Sequence, residues 1–218
     1  MMDLSTFDPD SSGNPHNTIF GLPFSEENAR VVVLPVPWEV TVSYLSGTAR
    51  APERIKSASL HVDLFDADYS ENWRQGFYLQ EPDKKILFKN DYLRKEAELF
   101  IDYVSQGQQI SENKFMCKML KEINEGSDFL NAWVYDQTKT LLEKGKLVGI
   151  LGGDHSTPFG FYRAIADRYH EFGILQIDAH CDLRKAYLGF KYSHASIMYN
   201  ALAEIPQITR LVQVGVRD

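Results

Sequence analysis

Two aspartates and a histidine alternate along residues 174–184, which read ILQIDAHCDLR. The apolar first half of this segment predicts a buried strand, and side chains alternate between the two faces of an extended chain. Asp178, His180 and Asp182 would therefore share one face. Two carboxylates at a strand end repel each other unless a cation lies between them. The spacing predicts a metal site, and the alternative is a solvated polar strand end.

The donor atoms of this segment favour one class of ion. Carboxylate oxygens and an imidazole suit Mn²⁺ or a similar divalent ion better than a thiolate-type site does. Cys181 lies in the same segment and could bind zinc, but the alternation places it opposite the three polar residues. We therefore expect Cys181 to be a small buried residue.

A second polar segment, residues 149–156, follows another predicted strand and reads GILGGDHS. Its two glycines allow a sharp turn before Asp154 and His155. Ligand sites of open α/β sheets lie at the carboxyl ends of strands, so we predict that His155 binds a metal and that Asp154 fixes it or its neighbours. The alternatives are a structural turn with a surface histidine and a phosphate loop, although the Lys-Ser/Thr ending of such loops is absent here.

A third segment, YSHAS, places His194 twelve residues after Asp182. A histidine at the start of a predicted helix near the site could transfer a proton during a reaction. The alternative is a surface or helix-capping histidine.

Strands and helices alternate along the chain. Apolar and β-branched runs predict strands at residues 31–37, 61–68, 146–151, 172–178 and 209–216. Helical periodicity predicts helices at residues 51–59, 91–105, around 116–123 and 194–204. Capping residues predict two more: Ser127 would cap a helix at residues 127–144, and Thr157 would cap a helix that begins at Pro158. Residues 69–90 look irregular. The alternation predicts an α/β fold with three layers, in which helices cover both faces of a mostly parallel sheet.

The composition excludes several classes of protein. The 218 residues include 23 Lys and Arg against 30 Asp and Glu, a net charge of −7. This balance argues against a nucleic-acid partner bound by phosphate neutralisation and against a polybasic membrane-surface protein. The sequence shows no signal peptide and no apolar run near the ~18 residues of a membrane span. Its two cysteines are too few for a disulfide framework. We expect a cytoplasmic protein.

Taken together, GGDHS, DAHCD and SHAS resemble the ureohydrolase family of arginases and agmatinases. VVVLPVP and SGTARAPERIKSAS resemble the first strand of the family and the segment after it, and VQVGVRD resembles the strand after the metal loop. Metallophosphoesterases use similar motifs, but there the Asp-x-His segment comes first. The resemblance begins near residue 30, so we predict an extended N-terminal arm at residues 1–29 and an incomplete ureohydrolase-like α/β domain at residues 30–218.

The resemblance implies a site with two Mn²⁺ ions. His155 would bind one ion and His180 the other, and Asp178 would bridge both. Asp182 would bind the same ion as His155, and His194 would relay a proton, so Asp182 and His194 are the implied catalytic residues. The implied reaction is Mn²⁺-dependent hydrolysis of a guanidino-type C–N bond that releases urea.

The same resemblance leaves the substrate open. An agmatinase-like small guanidino substrate is favoured, and formiminoglutamase-like or arginase-like hydrolysis is an alternative. A further alternative is that the chain is a catalytically inactive fragment. A homo-oligomer is implied for a full-length relative.

The chain departs from the family pattern near its end. The family has a later Ser-x-Asp-x-Asp segment with two further metal ligands, and a later Glu that grips the guanidinium. Neither occurs in this sequence, and Asp66 and Asp68 have the Asp-x-Asp spacing but follow a different predicted strand. We therefore expect a truncated member whose C-terminal strands are missing. Because those strands lie between the third and fourth strands of the family's sheet, the two halves should close up or leave an apolar gap.

Overall fold

The computed structural model describes residue 4 and residues 6–217. The remaining positions, at the start of the predicted arm and at the last residue of the predicted domain, lie outside the described residues. The strands are β1 (Val31–Val36), β2 (Phe77–Leu79), β3 (Leu147–Gly152), β4 (Phe172–Ile177) and β5 (Ile208–Val214). The α-helices are α1 (Ala51–Ser59), α2 (Lys84–Ser105), α3 (Lys114–Glu143), α4 (Phe159–Arg168) and α5 (Ile197–Glu204).

The strands form two separate parallel sheets. In the first sheet β1 lies between β2 and β3, and in the second β4 pairs with β5. Helix α3 packs on β1 and β3, and α1 also contacts β3. The predicted α/β fold with parallel strands is confirmed. The sheet is interrupted between β3 and β4, which is the gap that the sequence led us to expect.

The interruption leaves apolar side chains exposed on the second sheet. Leu175 and Ile177 of β4 lie beside Val212 and Val214 of β5. These four side chains are between 46% and 79% exposed. On the opposite face Ile174 packs into a core with residues of α4 and α5. The two-stranded sheet is therefore covered on one face only by the described residues.

A larger core joins the first sheet to α2 and α3. It contains Leu34 and Val36 of β1, Phe100 of α2 and Ile123 of α3. This packing fixes the direction of β1 and β3, and His155 of the candidate site follows the carboxyl end of β3. No described helix has the length and apolar character that a membrane span requires.

The predicted strand at residues 61–68 is wrong, and β2 forms instead within the segment at 69–90 that looked irregular. The Asp66 carboxylate accepts hydrogen bonds from the backbone amides of Asp68 and Tyr69, both at 2.9 Å. Aspartates that bind the backbone two or three residues onward favour turns over strands. Asp66 is therefore a turn residue.

The prediction of a separate helix after Ser127 is also wrong, because α3 continues through this residue. Asn113 caps α3, since its side chain accepts hydrogen bonds from the amides of Phe115 and Met116. The Ser127 hydroxyl is buried and donates to the carbonyl of Ile123 at 3.2 Å. A serine inside a helix can satisfy its hydroxyl in this way, so a capping residue type does not by itself locate a helix start.

Two other helices start at residues that differ from the predictions. Helix α2 begins earlier, because the Asp83 carboxylate accepts hydrogen bonds from the amides of its first turn. Helix α4 begins one residue later, with Pro158 in the cap position. The Thr157 hydroxyl donates to the carbonyl of Asp154 at 3.0 Å and does not cap the helix.

Candidate metal centre

The carboxyl ends of β3 and β4 bring three predicted ligands together. His155 follows β3, and Asp178 directly follows β4. The Nδ1 atom of His155 lies 3.1 Å from Oδ2 of Asp178 and 2.7 Å from Oδ2 of Asp182. One ligand atom from each of the three residues lies within 4.8 Å of the other two. Their separation allows all three side chains to bind one cation.

His180 lies at the edge of this group. Its Nδ1 atom is 3.4 Å from Oδ1 of Asp178, and its side chain is 57% exposed. Asp178 therefore faces His155 with one carboxylate oxygen and His180 with the other. This arrangement would let the Asp178 carboxylate contact two cations. The second cation would have only His180 and the shared Asp178 as ligands, against the three residues that surround the first.

The electrostatics of the group suit a cation. Burial disfavours protonation of His155, but the hydrogen bond with Asp182 and the charges of both aspartates outweigh burial and raise its pKa above the ordinary value. Burial would also raise the pKa of Asp178, but hydrogen bonds, led by that from the His180 amide, and the nearby imidazoles lower it. Two carboxylates and an imidazole form the mixed oxygen and nitrogen donor set that fits Mn²⁺.

Two glycines form the turn that positions His155. A Cβ atom on Gly153 would lie 1.9 Å from the carbonyl oxygen of Trp38, and one on Gly152 would lie 2.6 Å from Oγ1 of Thr157. The Asp154 amide donates to the same Trp38 carbonyl at 2.8 Å. A larger residue at Gly153 would have to displace backbone, and one at Gly152 would have to displace the Thr157 side chain.

Replacing Gly153 with alanine should destabilise the protein by about 1–3 kcal/mol or more, because the new methyl group must displace the backbone of Trp38. Gly149→Ala is the matched control, since its Cβ would lie 3.8 Å from Cγ2 of Val33. Unfolding in urea measures both variants. Equal free energies of unfolding for the two would contradict the packing argument.

Asp154 is buried and fixes the neighbours of His155. Its carboxylate accepts hydrogen bonds from the amide and hydroxyl of Ser156, and from the hydroxyl of Thr41 at 3.3 Å. Burial raises the pKa of Asp154, and the hydrogen bonds from Ser156 counteract part of that effect. These bonds tie the turn after β3 to the loop after β1.

The segment after β4 is a loop, so the alternation that predicted its geometry does not extend through it. β4 ends at Ile177, and the His180 amide donates to Oδ1 of Asp178 at 2.9 Å. Asp182 has a left-handed backbone conformation with φ of 54°, and its carboxylate lies 2.7 Å from Nδ1 of His155. Cys181 is half-buried and lines a cavity, so the prediction of a buried cysteine is wrong. The loop, and not a shared strand face, brings the two aspartates together.

His194 lies in a short 3₁₀ segment before α5 and borders the same cavity of about 520 Å³ as His180 and Asp182. The ring of Tyr187 packs edge-on against the His194 imidazole, with ring centroids 5.6 Å apart. The cavity therefore connects the candidate metal ligands to a histidine that could move a proton. Its other lining residues are Cys181, Leu183, Arg184, Tyr187 and Ala195.

Sequence reasoning missed the side chains that support the loop of residues 178–182, called the metal loop below. Gln176 lies on the buried face of β4, and its amide group donates to Oδ2 of Asp182 at 3.3 Å. Gln213 of β5 donates to the Gln176 side chain at 2.6 Å. A glutamine inside an otherwise apolar strand is the signal that could have identified Gln176.

Known proteins are similar to this chain over most of its length. The arginase family model matches residues 29–218. An N(1)-aminopropylagmatine ureohydrolase of Thermus thermophilus is 32% identical over 193 residues, which cover 88% of this chain and 52% of that protein. The chain spans about half the length of the curated relatives that it matches.

Solved structures show the same fold. The agmatine ureohydrolase of Thermoplasma volcanium superimposes with a TM-score of 0.61 at 21% identity, over 98% of this chain and 57% of that one. The formiminoglutamase of Trypanosoma cruzi, solved with Mn²⁺, gives a TM-score of 0.57 at 13% identity, over 88% and 54%. With the family match over nearly all of the sequence, these findings show that the chain belongs to the arginase family.

Proposed function

We propose that the chain carries the metal-binding part of a ureohydrolase that cleaves a guanidino-type C–N bond and releases urea. The observation that supports this most strongly is the convergence of His155, Asp178 and Asp182 within 4.8 Å at the carboxyl ends of parallel strands. These residues would hold Mn²⁺. When bound, the metal supplies Lewis acidity that lowers the pKa of a water molecule to near neutrality.

The residues of the site have separate tasks in this reaction. Asp178 and Asp182 offset the charge of the cation, and His180 with the second oxygen of Asp178 offers a place for another ion. His194 borders the same cavity and would move a proton towards the leaving amine. A guanidinium group is a strong base and a poor electrophile, so its hydrolysis requires an activated nucleophile and a proton donor.

An agmatinase-like substrate is the favoured choice. It is supported by the names of two similar proteins, an N(1)-aminopropylagmatine ureohydrolase and an agmatine ureohydrolase. Formiminoglutamate is the second candidate, since a formiminoglutamase shares the fold. The cytoplasmic location, the homo-oligomer and the boundary between arm and domain stay predictions.

The test uses the chain itself and a chimera that continues it with the matching remainder of the Thermus thermophilus relative. Urea release from agmatine, N(1)-aminopropylagmatine and arginine, and consumption of formiminoglutamate, would be measured with and without Mn²⁺. We expect Mn²⁺-dependent urea release from an agmatine-type substrate by the chimera. Release that is independent of Mn²⁺, or no urea release from any of the three guanidino substrates, would contradict the proposal, and turnover of formiminoglutamate alone would favour the second candidate.

In the chimera, His194→Asn should lower turnover by about 10²–10⁴-fold, the usual contribution of a general acid or base. The Mn²⁺ content should not change, because His194 does not belong to the three-residue ligand group. His61→Asn, which removes an exposed histidine, is the control. Unchanged turnover of His194→Asn across the pH range would return His194 to a surface or capping role.

A further inference from the structure

Two glutamines face each other near the carboxyl end of the second sheet, and the metal loop follows strand β4 of that sheet. Gln176 of β4 and Gln213 of β5 are partners in the strand register. Gln176 is only 4% exposed, although it lies in an apolar strand. A buried amide is costly unless its hydrogen bonds are satisfied, so the partners of these side chains indicate why glutamine occurs there.

Each side-chain amide nitrogen of this glutamine pair has two oxygen acceptors within 3.3 Å. Gln213 donates to the side-chain oxygen of Gln176 at 2.6 Å and to the carbonyl of Cys181 at 2.8 Å. Gln176 donates to the carbonyl of His180 at 3.2 Å and to Oδ2 of Asp182 at 3.3 Å. Because each acceptor is an oxygen with no hydrogen to give, both amides have one possible orientation.

The pair holds the metal loop from the side of the sheet, and α5 holds it from the other side. The carbonyl of Asp182 accepts hydrogen bonds from the amides of Met198 at 3.1 Å and Tyr199 at 3.4 Å, in the first turn of α5. Asp182 has the left-handed conformation, which is strained at a residue other than glycine and persists only where its surroundings enforce it. The glutamine pair and α5 supply that enforcement.

We propose that Gln176 and Gln213 are positioning residues that fix the Asp182 carboxylate for cation binding. Gln176 donates to the same Oδ2 atom that lies 2.7 Å from Nδ1 of His155. A carboxylate that is already oriented loses little rotational freedom when it binds a cation, so the pair should increase affinity. This inference rests on the proposed metal site.

The first test is Gln176→Met, which removes both donors and nearly conserves volume. We expect the dissociation constant for Mn²⁺, measured by electron paramagnetic resonance of the free ion, to increase by about 10–100-fold. Asn124→Leu is the matched control. The Asn124 amide also fixes loop backbone, through Gly189 and Lys191, but that loop carries no proposed ligand. An equal loss of affinity in both variants, or unchanged affinity in Gln176→Met, would overturn the proposal.

A double-mutant cycle separates positioning from general loss of stability. Gln213→Met leaves the direct bond to Asp182 in place, so it should weaken Mn²⁺ binding less than Gln176→Met does. The double variant should bind Mn²⁺ about as weakly as Gln176→Met alone, because Gln213 is inferred to act through Gln176. Fully additive losses would contradict this order. Should Gln176→Met fail to fold, the half-buried Gln213→Met provides the comparison with wild type.

Hydrogen exchange tests the same inference without metal. The amides of Met198 and Tyr199 report the position of the Asp182 carbonyl. We expect their exchange to accelerate roughly tenfold in metal-free Gln176→Met, as the loss of about one net hydrogen bond predicts. Unchanged exchange would overturn the inference. If neither the wild-type chain nor the chimera binds Mn²⁺, the proposed function fails, while this measurement still decides whether the pair fixes the loop.

Discussion

Replacing Asp178 with asparagine should nearly abolish Mn²⁺ binding, with a loss well beyond the roughly 10–100-fold typical of residues that only support a ligand. Asp178 is the residue whose two oxygens face different histidines, His155 at 3.1 Å and His180 at 3.4 Å. Asparagine keeps the shape but removes the negative charge and replaces one oxygen with an NH₂ group that cannot bind a cation. Titration with Mn²⁺, followed by electron paramagnetic resonance, measures the effect.

Asp63→Asn provides a close control for this variant. Asp63 accepts a hydrogen bond from the Phe65 amide at 2.9 Å, and Asp178 accepts one from the His180 amide at the same distance. The control therefore removes one charge and perturbs one equivalent turn, at an exposed place far along the sequence from the ligands. Wild-type affinity in Asp178→Asn, or an equal loss in Asp63→Asn, would contradict the proposed ligand set.

The second prediction concerns the metal content and activity of the 218-residue polypeptide expressed by itself. We expect it to bind fewer than two Mn²⁺ per chain and to release no urea above background. The described residues offer one ion His155, Asp178 and Asp182, but offer a second ion only His180 and the shared Asp178. Two ligands, one of them shared, hold a divalent ion weakly, and the activation of water in a two-metal site depends on both ions.

Elemental analysis after gel filtration and a urea assay measure this prediction. The chimera with the remainder of the Thermus thermophilus relative is the positive control, and it should bind two Mn²⁺ and turn over. Exposed apolar side chains on β4 and β5 should also lower the solubility of the polypeptide relative to the chimera. Two tightly bound Mn²⁺ per chain with turnover near ~1 s⁻¹ would show that other residues complete the site.

Local patterns predicted those elements whose formation depends on local sequence. The β-branched run of β1 and the helix α1, with Pro52 in its first turn, lie where the sequence placed them. β2 could not be predicted in this way, because it has three residues and pairs with β1 through contacts between distant parts of the chain. At residues 61–68 the aspartates direct turns, which periodicity alone does not distinguish from a strand.

The candidate site was predictable in composition but not in geometry. The rule that ligands gather at the carboxyl ends of parallel strands led us to expect His155 and Asp178 near each other, and they lie 3.1 Å apart after β3 and β4. The left-handed conformation of Asp182 and the half-burial of Cys181 arise from the loop after β4, whose path is set by Gln176, Gln213 and α5. The contacts of Gln213 and α5 join segments that are far apart in sequence, so strand alternation does not explain how these side chains converge.

Anomalous diffraction at the manganese edge, from crystals of this chain grown with Mn²⁺, tests the proposed metal site most directly. We expect a peak at about 2.0–2.6 Å, the range for divalent ions with nitrogen and oxygen ligands, from Nδ1 of His155 and from a carboxylate oxygen of each of Asp178 and Asp182. Any second peak should be weaker and lie between Asp178 and His180. Strong manganese peaks elsewhere with none at this group would contradict the account.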